Sequence, residues 1–122
     1  MALHNRIGRL GEQMAAEYLR TKDYYIIEQN YYNRFGEIDI VAEKNTYLVF
    51  TEVKTRSSED FFGLEYCFNN KQMQHLKNTA KYYIFENNFI SKDIRFDLIL
   101  IKINFAKRSI EKIEHYKNVI EE

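Results

Sequence analysis

Two apolar, β-branched runs, residues 36–43 (GEIDIVAE) and 47–54 (YLVFTEVK), are separated only by Lys44, Asn45 and Thr46. So short a connection makes them neighbouring antiparallel strands, because a parallel return needs a crossover of about a dozen residues or more. A turn centred on Asn45–Thr46 pairs Val41 with Phe50, Asp39 with Glu52 and Glu37 with Lys54 on one face. The other face pairs Ile38 with Val53 and Ala42 with Val49, and is apolar along its length. A one-residue slip turns every side chain to the wrong face, so the pattern itself favours this register.

The charges are the anomaly. Asp39 opposite Glu52 sets two carboxylates on Cβ atoms about 4.5–5.5 Å apart, and like charges so placed destabilise a sheet. A solvated face with weak ion pairs explains any one of these residues. It does not explain an opposed like-charge pair, which needs something positive between its members. Asp39 and Glu52, with the Val53 carbonyl, form an oxygen cage suited to Mg²⁺ or Mn²⁺; Mg²⁺ keeps several waters and takes phosphate as a further ligand. Lys54 projects to the same place, where an ammonium can orient an attacking water or steady charge on a phosphodiester in its transition state. An E-x-K triplet arises about once by chance in a chain this long, so the hairpin gives the motif its meaning.

The remaining chain supplies the layers. In residues 4–20, Ile7, Leu10, Met14, Tyr18 and Leu19 fall at helical spacing. Gly8, Gly11 and Ala15 lie beside that stripe, where another backbone can approach, and Glu12 stands at the edge of this small-residue side. Residues 24–29 predict a first strand and residues 55–68 a loop. Asn69 caps a helix through about Asn87, with Gln72 completing a capping box and Met73, Leu76, Ala80, Tyr83 and Ile84 facing the core. Residues 94–103 are apolar on both faces, as in a covered strand. The tail from Ser109 fits either a helix or a short strand. The order is helix, three strands, helix, one or two strands: an α/β fold with helices packed on a mixed sheet. No proline, only four glycines and no low-complexity tract leave no linker, so residues 1–122 read as one domain.

Charge sets a condition on function. Lys plus Arg and Asp plus Glu number 18 each, so binding to nucleic acid requires the charges to be segregated into patches. Arg56, just past the E-x-K strand, is a candidate phosphate contact, and Lys71 is either another or a simple surface lysine. Glu12 is either a member of the metal shell or a solvated helix carboxylate. Arg95 and Asp97 share a strand face and are expected to pair with each other. His4, His75 and His115 lack zinc-site spacing and read as surface or core residues. Cys67 has no partner for a disulfide and reads as packing. The Tyr-Tyr and Phe-Phe pairs at 24–25, 31–32, 61–62 and 82–83 read as core and edge residues. No run approaches about 18 apolar residues, and the N-terminus lacks the apolar core of a secretion signal, so the cytoplasm is the expected compartment and no membrane partner is expected.

The runs NYYNRFGEIDIVAE, VFTEVKTR, the FG before the second helix, Lys71 within it and RFD at 95–97 resemble the YraN-type family of uncharacterised small proteins. The resemblance covers nearly the whole chain. It implies a restriction-endonuclease-like fold of the PD-(D/E)xK superfamily, near the Holliday-junction resolvases. Asp39 then matches the motif aspartate, Glu52 and Lys54 the E-x-K pair, and Glu12 a helical glutamate. Tyr32 stands where the family often has arginine before GEID, leaving Arg34 as the matching cation and a third phosphate contact. The implied activity is Mg²⁺- or Mn²⁺-dependent hydrolysis of phosphodiester bonds in DNA, branched or junction DNA included, and junction cutting implies a two-fold homodimer. The alternative is a non-catalytic nucleic-acid- or protein-binding module on the same fold.

Overall fold

The computed structural model describes residues 2–60, 63–89 and 92–120; the Phe61–Phe62 pair lies outside them. Helix α1 (Ala2–Thr21) leads into strands β1 (Tyr25–Asn33), β2 (Gly36–Lys44) and β3 (Tyr47–Ser57). A 3₁₀ turn (Ser58–Asp60), a short helix α2 (Leu64–Cys67) and the long helix α3 (Asn70–Asn87) precede β4 (Asp93–Asn104) and β5 (Ser109–Tyr116). The fold is α/β. Its sheet runs β1-β2-β3-β4-β5, with β3 and β4 parallel and every other neighbouring pair antiparallel. The parallel pair is joined by the crossover that contains α3, which such a pair requires.

Alternation along β4 divides the interior in two. Phe96 and Leu98 pack with Phe50, Leu76, Ala80 and Tyr83 on the α3 face. Ile99 and Ile101 pack with Ala15, Ala16 and Leu19 on the α1 face. Full burial of one such side chain contributes about 1.5–3 kcal/mol. The α3 prediction holds at both ends. Asn69 Oδ1 accepts from Gln72 N–H at 2.9 Å, Gln72 Oε1 accepts from Asn69 N–H at 2.8 Å, and Asn88 ends the helix in left-handed conformation.

Several expectations change. Leu10 is exposed, while the rest of the α1 stripe, Ile7, Met14, Tyr18 and Leu19, packs against the sheet beside Gly11, Ala15 and Ala16. A Cβ on Gly11 would collide with Thr55 Oγ1, whereas Gly8 has open space beside it and mediates no close approach. Residues 55–57 are strand rather than loop, because Thr55, Arg56 and Ser57 pair with Ile101, Lys102 and Ile103 of β4. The tail forms β5. Each described Tyr-Tyr pair has one ring turned inward and one outward, with Tyr24 and Tyr83 buried and Tyr25 and Tyr32 exposed. Cys67 is buried and donates to the Leu64 carbonyl at 3.4 Å. No helix among the described residues is long and apolar enough to cross a membrane.

Thr51 presents one clean test of packing. It is fully buried in β3 and its hydroxyl has no hydrogen-bond partner among the described residues. Since an unsatisfied buried polar group costs about 1–3 kcal/mol, Thr51→Val is expected to stabilise the fold by about 1 kcal/mol, read as a raised urea midpoint with unchanged slope. A lowered midpoint would mean that the hydroxyl is satisfied in solution.

Candidate active site

The hairpin register holds from the turn to its middle: Lys44–Tyr47, Glu43–Leu48, Ala42–Val49, Val41–Phe50 and Ile40–Thr51 are partners. There the ladder stops. Asp39 Oδ2 accepts the Val53 backbone N–H at 2.7 Å, so a side chain takes the place of the next strand bond. Alternation breaks at the same point. Ile38 joins the α3-face core and Ile40 and Val53 the α1-face core, which overturns the expected Ile38–Val53 pair. The expected backbone pairings of Asp39 with Glu52 and Glu37 with Lys54 are likewise absent from the ladder. What opens between the parted strands is a cavity of about 380 Å³.

Glu12, Glu37, Asp39, Glu52, Val53 and Lys54 line this cavity, joined by Gln72 and His75 from α3. Three elements thus contribute carboxylates: Glu12 from α1, Glu37 and Asp39 from β2, and Glu52 from β3. Asp39 is buried, with 8% of its surface exposed, while Glu37 is exposed. Lys54 Nζ lies 3.7 Å from Glu52 Oε2. Crowding appears in the proton affinities. Burial, then a hydrogen bond to Asp39 and the charge of Asp39, push Glu52 up to about 9, against the pull of Lys54. Burial, then the charge of Asp39, a hydrogen bond to it and the charge of Glu37 push Glu12 up to about 7, opposed by Arg9. The pocket holds more negative charge than its own lysine offsets, and a proton or another cation must take up the difference.

Carboxylates are the hard oxygen donors that Mg²⁺ and Mn²⁺ prefer. Among the described residues no three His, Cys, Asp or Glu side chains already converge as ligands. That arrangement still fits Mg²⁺, which is usually held by one or two protein carboxylates with waters and substrate phosphate rather than by a complete protein cage. Asp39 and Glu52 would hold such an ion, with Glu12 beside them.

The predicted phosphate contacts divide. Arg56 lines the adjoining cavity with Glu12 and Lys54, its Nη1 donating to the Thr55 carbonyl at 2.8 Å. Lys71 is exposed in the first turn of α3 and does not line the carboxylate cavity. Arg34 is also outside it: its guanidinium lies over the Phe35 ring at 4.9 Å and the Tyr82 ring at 5.9 Å. Sequence reasoning missed Gln72 and His75 as parts of the site. Their signal was the helix cap, because Gln72 and His75 are three apart and share a face next to the buried Leu76. His115, by contrast, is buried against Asp97. A larger hollow of about 490 Å³, walled mainly by Leu64, Phe68, Met73, Leu98 and Val119, has no charged lining residue and no evident chemistry.

Comparison with known proteins agrees with the extent of these features. The family model described as Uncharacterised protein family UPF0102 matches residues 11–101. A UPF0102 protein of Christiangramia forsetii is 40% identical over 114 residues, covering 93% of this chain and 95% of the relative. One from Flavobacterium psychrophilum is 38% identical over 118 residues, covering 97% and 96%. One from Syntrophomonas wolfei is 37% identical over 111 residues, covering 91% and 96%.

Proposed function

This chain belongs to the UPF0102 family, and from that premise we propose that it is a metal-dependent nuclease that hydrolyses phosphodiester bonds in DNA, branched or junction DNA included. One observation carries the reading: carboxylates from three separate elements line one cavity beside a lysine where β2 and β3 part. A bound divalent ion supplies charge stabilisation at the phosphate and lowers the pKa of a bound water. Asp39 and Glu52 would hold it, and the Val53 N–H donates to Asp39 and orients its carboxylate. Lys54 presents its ammonium to the attacking water or to the oxygen that gains charge. Glu12 shares the remaining cation charge, and Arg56 draws the flanking phosphate to the cavity mouth.

The deciding experiment incubates wild type and Glu52→Gln with Mg²⁺ or Mn²⁺ and a panel of duplex, flap and junction DNAs. Cleavage by wild type alone supports the proposal; indistinguishable reactions end it. Lys54→Met is expected to lower kcat about a hundredfold while leaving metal-dependent stabilisation in place, because the lysine serves the reacting phosphate rather than the ion. Loss of both together would make Lys54 a structural partner of Glu52.

A second reading rests on the unconverged carboxylates and the balanced charge: a non-catalytic nucleic-acid-binding module. Metal-independent DNA binding that survives Glu52→Gln, with no cleavage of any substrate, would favour it. Cutting both arms of a junction calls for two sites related by a two-fold axis. Sedimentation in the presence of junction DNA tests that dimer.

A further inference from the structure

The carboxylate cavity does not end at Lys54. A second cavity of about 480 Å³ shares Glu12, Val53 and Lys54 with it and passes Gly8, Thr55 and Arg56. It shares Ile7 and Phe105 with a third, of about 730 Å³, whose walls include Leu10, Met14, Ile103 and Ile110 together with Arg6 and Arg108. These shared walls set the three cavities side by side along α1. The third exposes two large apolar side chains, Leu10 at 49% and Phe105 at 47%, beside exposed arginines. Among the described residues nothing stands within 4 Å of where a Cβ of Gly8 would lie, so the second cavity is open on that side.

The chemistry of this lining selects its occupant. A blunt duplex presents phosphates but hides its base faces, and would leave an apolar floor unfilled. A single strand presents both, and aromatic side chains beside basic ones are the usual way to hold it. Charge points along the same path. Arg56 lines the cavity that also holds Glu12, Lys54 and Phe105, and Arg6 and Arg108 line the one with the apolar floor. Glu59 and Glu111 line a further hollow that shares Ser57, Ile103 and Phe105 with these cavities, and they repel phosphate from that side. The second cavity opens on the same Glu12 and Lys54 that line the carboxylate site, so a strand leaving that site enters it directly.

We propose that the cavities form one groove holding a single-stranded nucleic-acid arm that runs from the carboxylate site, with phosphates on Arg56, Arg6 and Arg108 and a base stacked on Phe105. Its connection to the reacting phosphate rests on the nuclease reading, but its binding chemistry does not. A branched substrate with an unpaired arm then gains contacts that a blunt duplex lacks.

The test measures binding of short fluorescent oligothymidine to the full chain in EDTA, where cleavage plays no part. Phe105→Ala is expected to weaken binding about tenfold, the scale of one lost base–aromatic stack, and Phe105→Tyr to keep it. Arg6→Ala with Arg108→Ala is expected to flatten the salt dependence by about 0.7 per lost phosphate contact. Unchanged melting of each variant confirms the fold, since all three side chains are exposed. Equal oligothymidine affinity across wild type and variants overturns the proposal. So does blunt-duplex binding with the same sensitivity to Phe105, or self-association lost with Phe105→Ala in place of oligonucleotide binding. If wild type cuts no DNA yet loses oligothymidine with Phe105→Ala, the nuclease reading fails and the groove assignment stands.

Discussion

Replacing Asp97 with alanine is expected to destabilise the protein by about 3–5 kcal/mol, a large share of the stability of a domain this size. Asp97 is wholly buried in β4 and accepts from three directions. Arg95 forks onto it, Nε to Oδ1 at 2.9 Å and Nη2 to Oδ2 at 2.8 Å. His115 Nε2 lies 2.7 Å from Oδ2, and the Asn118 N–H donates to Oδ1 at 3.0 Å. The Arg95 side chain is only 13% exposed, so removing the carboxylate strands a cation away from water. Tyr24 Oη, which accepts from Arg95 Nη2 at 2.5 Å, is too weak a partner to compensate. Urea denaturation at neutral pH measures the loss, and a variant within about 1 kcal/mol of wild type would show that the network contributes little.

Acid reports on the same group. Burial pushes Asp97 up, but hydrogen bonds from His115, Arg95 and the Asn118 N–H outweigh it and hold the carboxyl below its ordinary 3.8. A folded pKa below the unfolded one means stability that is present above the unfolded value and lost as pH falls through the folded one. Wild type is therefore expected to weaken below about pH 4, and Asp97→Asn to lose that part of the acid transition. Parallel acid melting curves for the two proteins would refute the assignment.

This network marks where local pattern stops being informative. The Arg95–Asp97 pair was legible because residues two apart share a strand face. His115 was not, since it arrives on β5, whose apolar spacing at Ile110 and Ile113 suits a helix as well as a strand. Pairing with β4, including a register shift at Lys102–Ile103, decides the matter. Residues 55–57 were lost for the same reason: their strand partners lie on β4, across the crossover. The hairpin register was legible down to Ile40–Thr51 because alternation is a local property of the two runs. The parting of the strands beyond it depends on one side-chain bond, from the Val53 N–H to Asp39, and no periodicity encodes that. The helical wheel set Glu12 at the helix–sheet boundary and the family resemblance assigned it to the site; Gly11 against Thr55 explains why α1 comes close enough to deliver it.

Asp39→Asn is expected to abolish both the response to divalent metal and DNA cleavage, the latter by at least about a hundredfold, as befits several kcal/mol of lost charge stabilisation. The substitution separates the carboxylate's two duties. An asparagine Oδ1 still accepts the Val53 N–H, so the parting of β2 and β3 survives. The negative charge facing Glu12 and Glu52 does not. Without metal the variant is therefore expected to melt at or above wild type, because the repulsion that raises both glutamates is relieved. With Mg²⁺ or Mn²⁺ at about a hundred times its Kd, wild type gains about 2.7 kcal/mol and the variant gains nothing. Only a cation site predicts this crossing of the two melting curves, since a purely structural Asp39 makes the variant weaker under both conditions. Identical melting of the two proteins, with neither responding to metal, would remove the cation from the pocket and leave Glu12 and Glu52 held by protons alone.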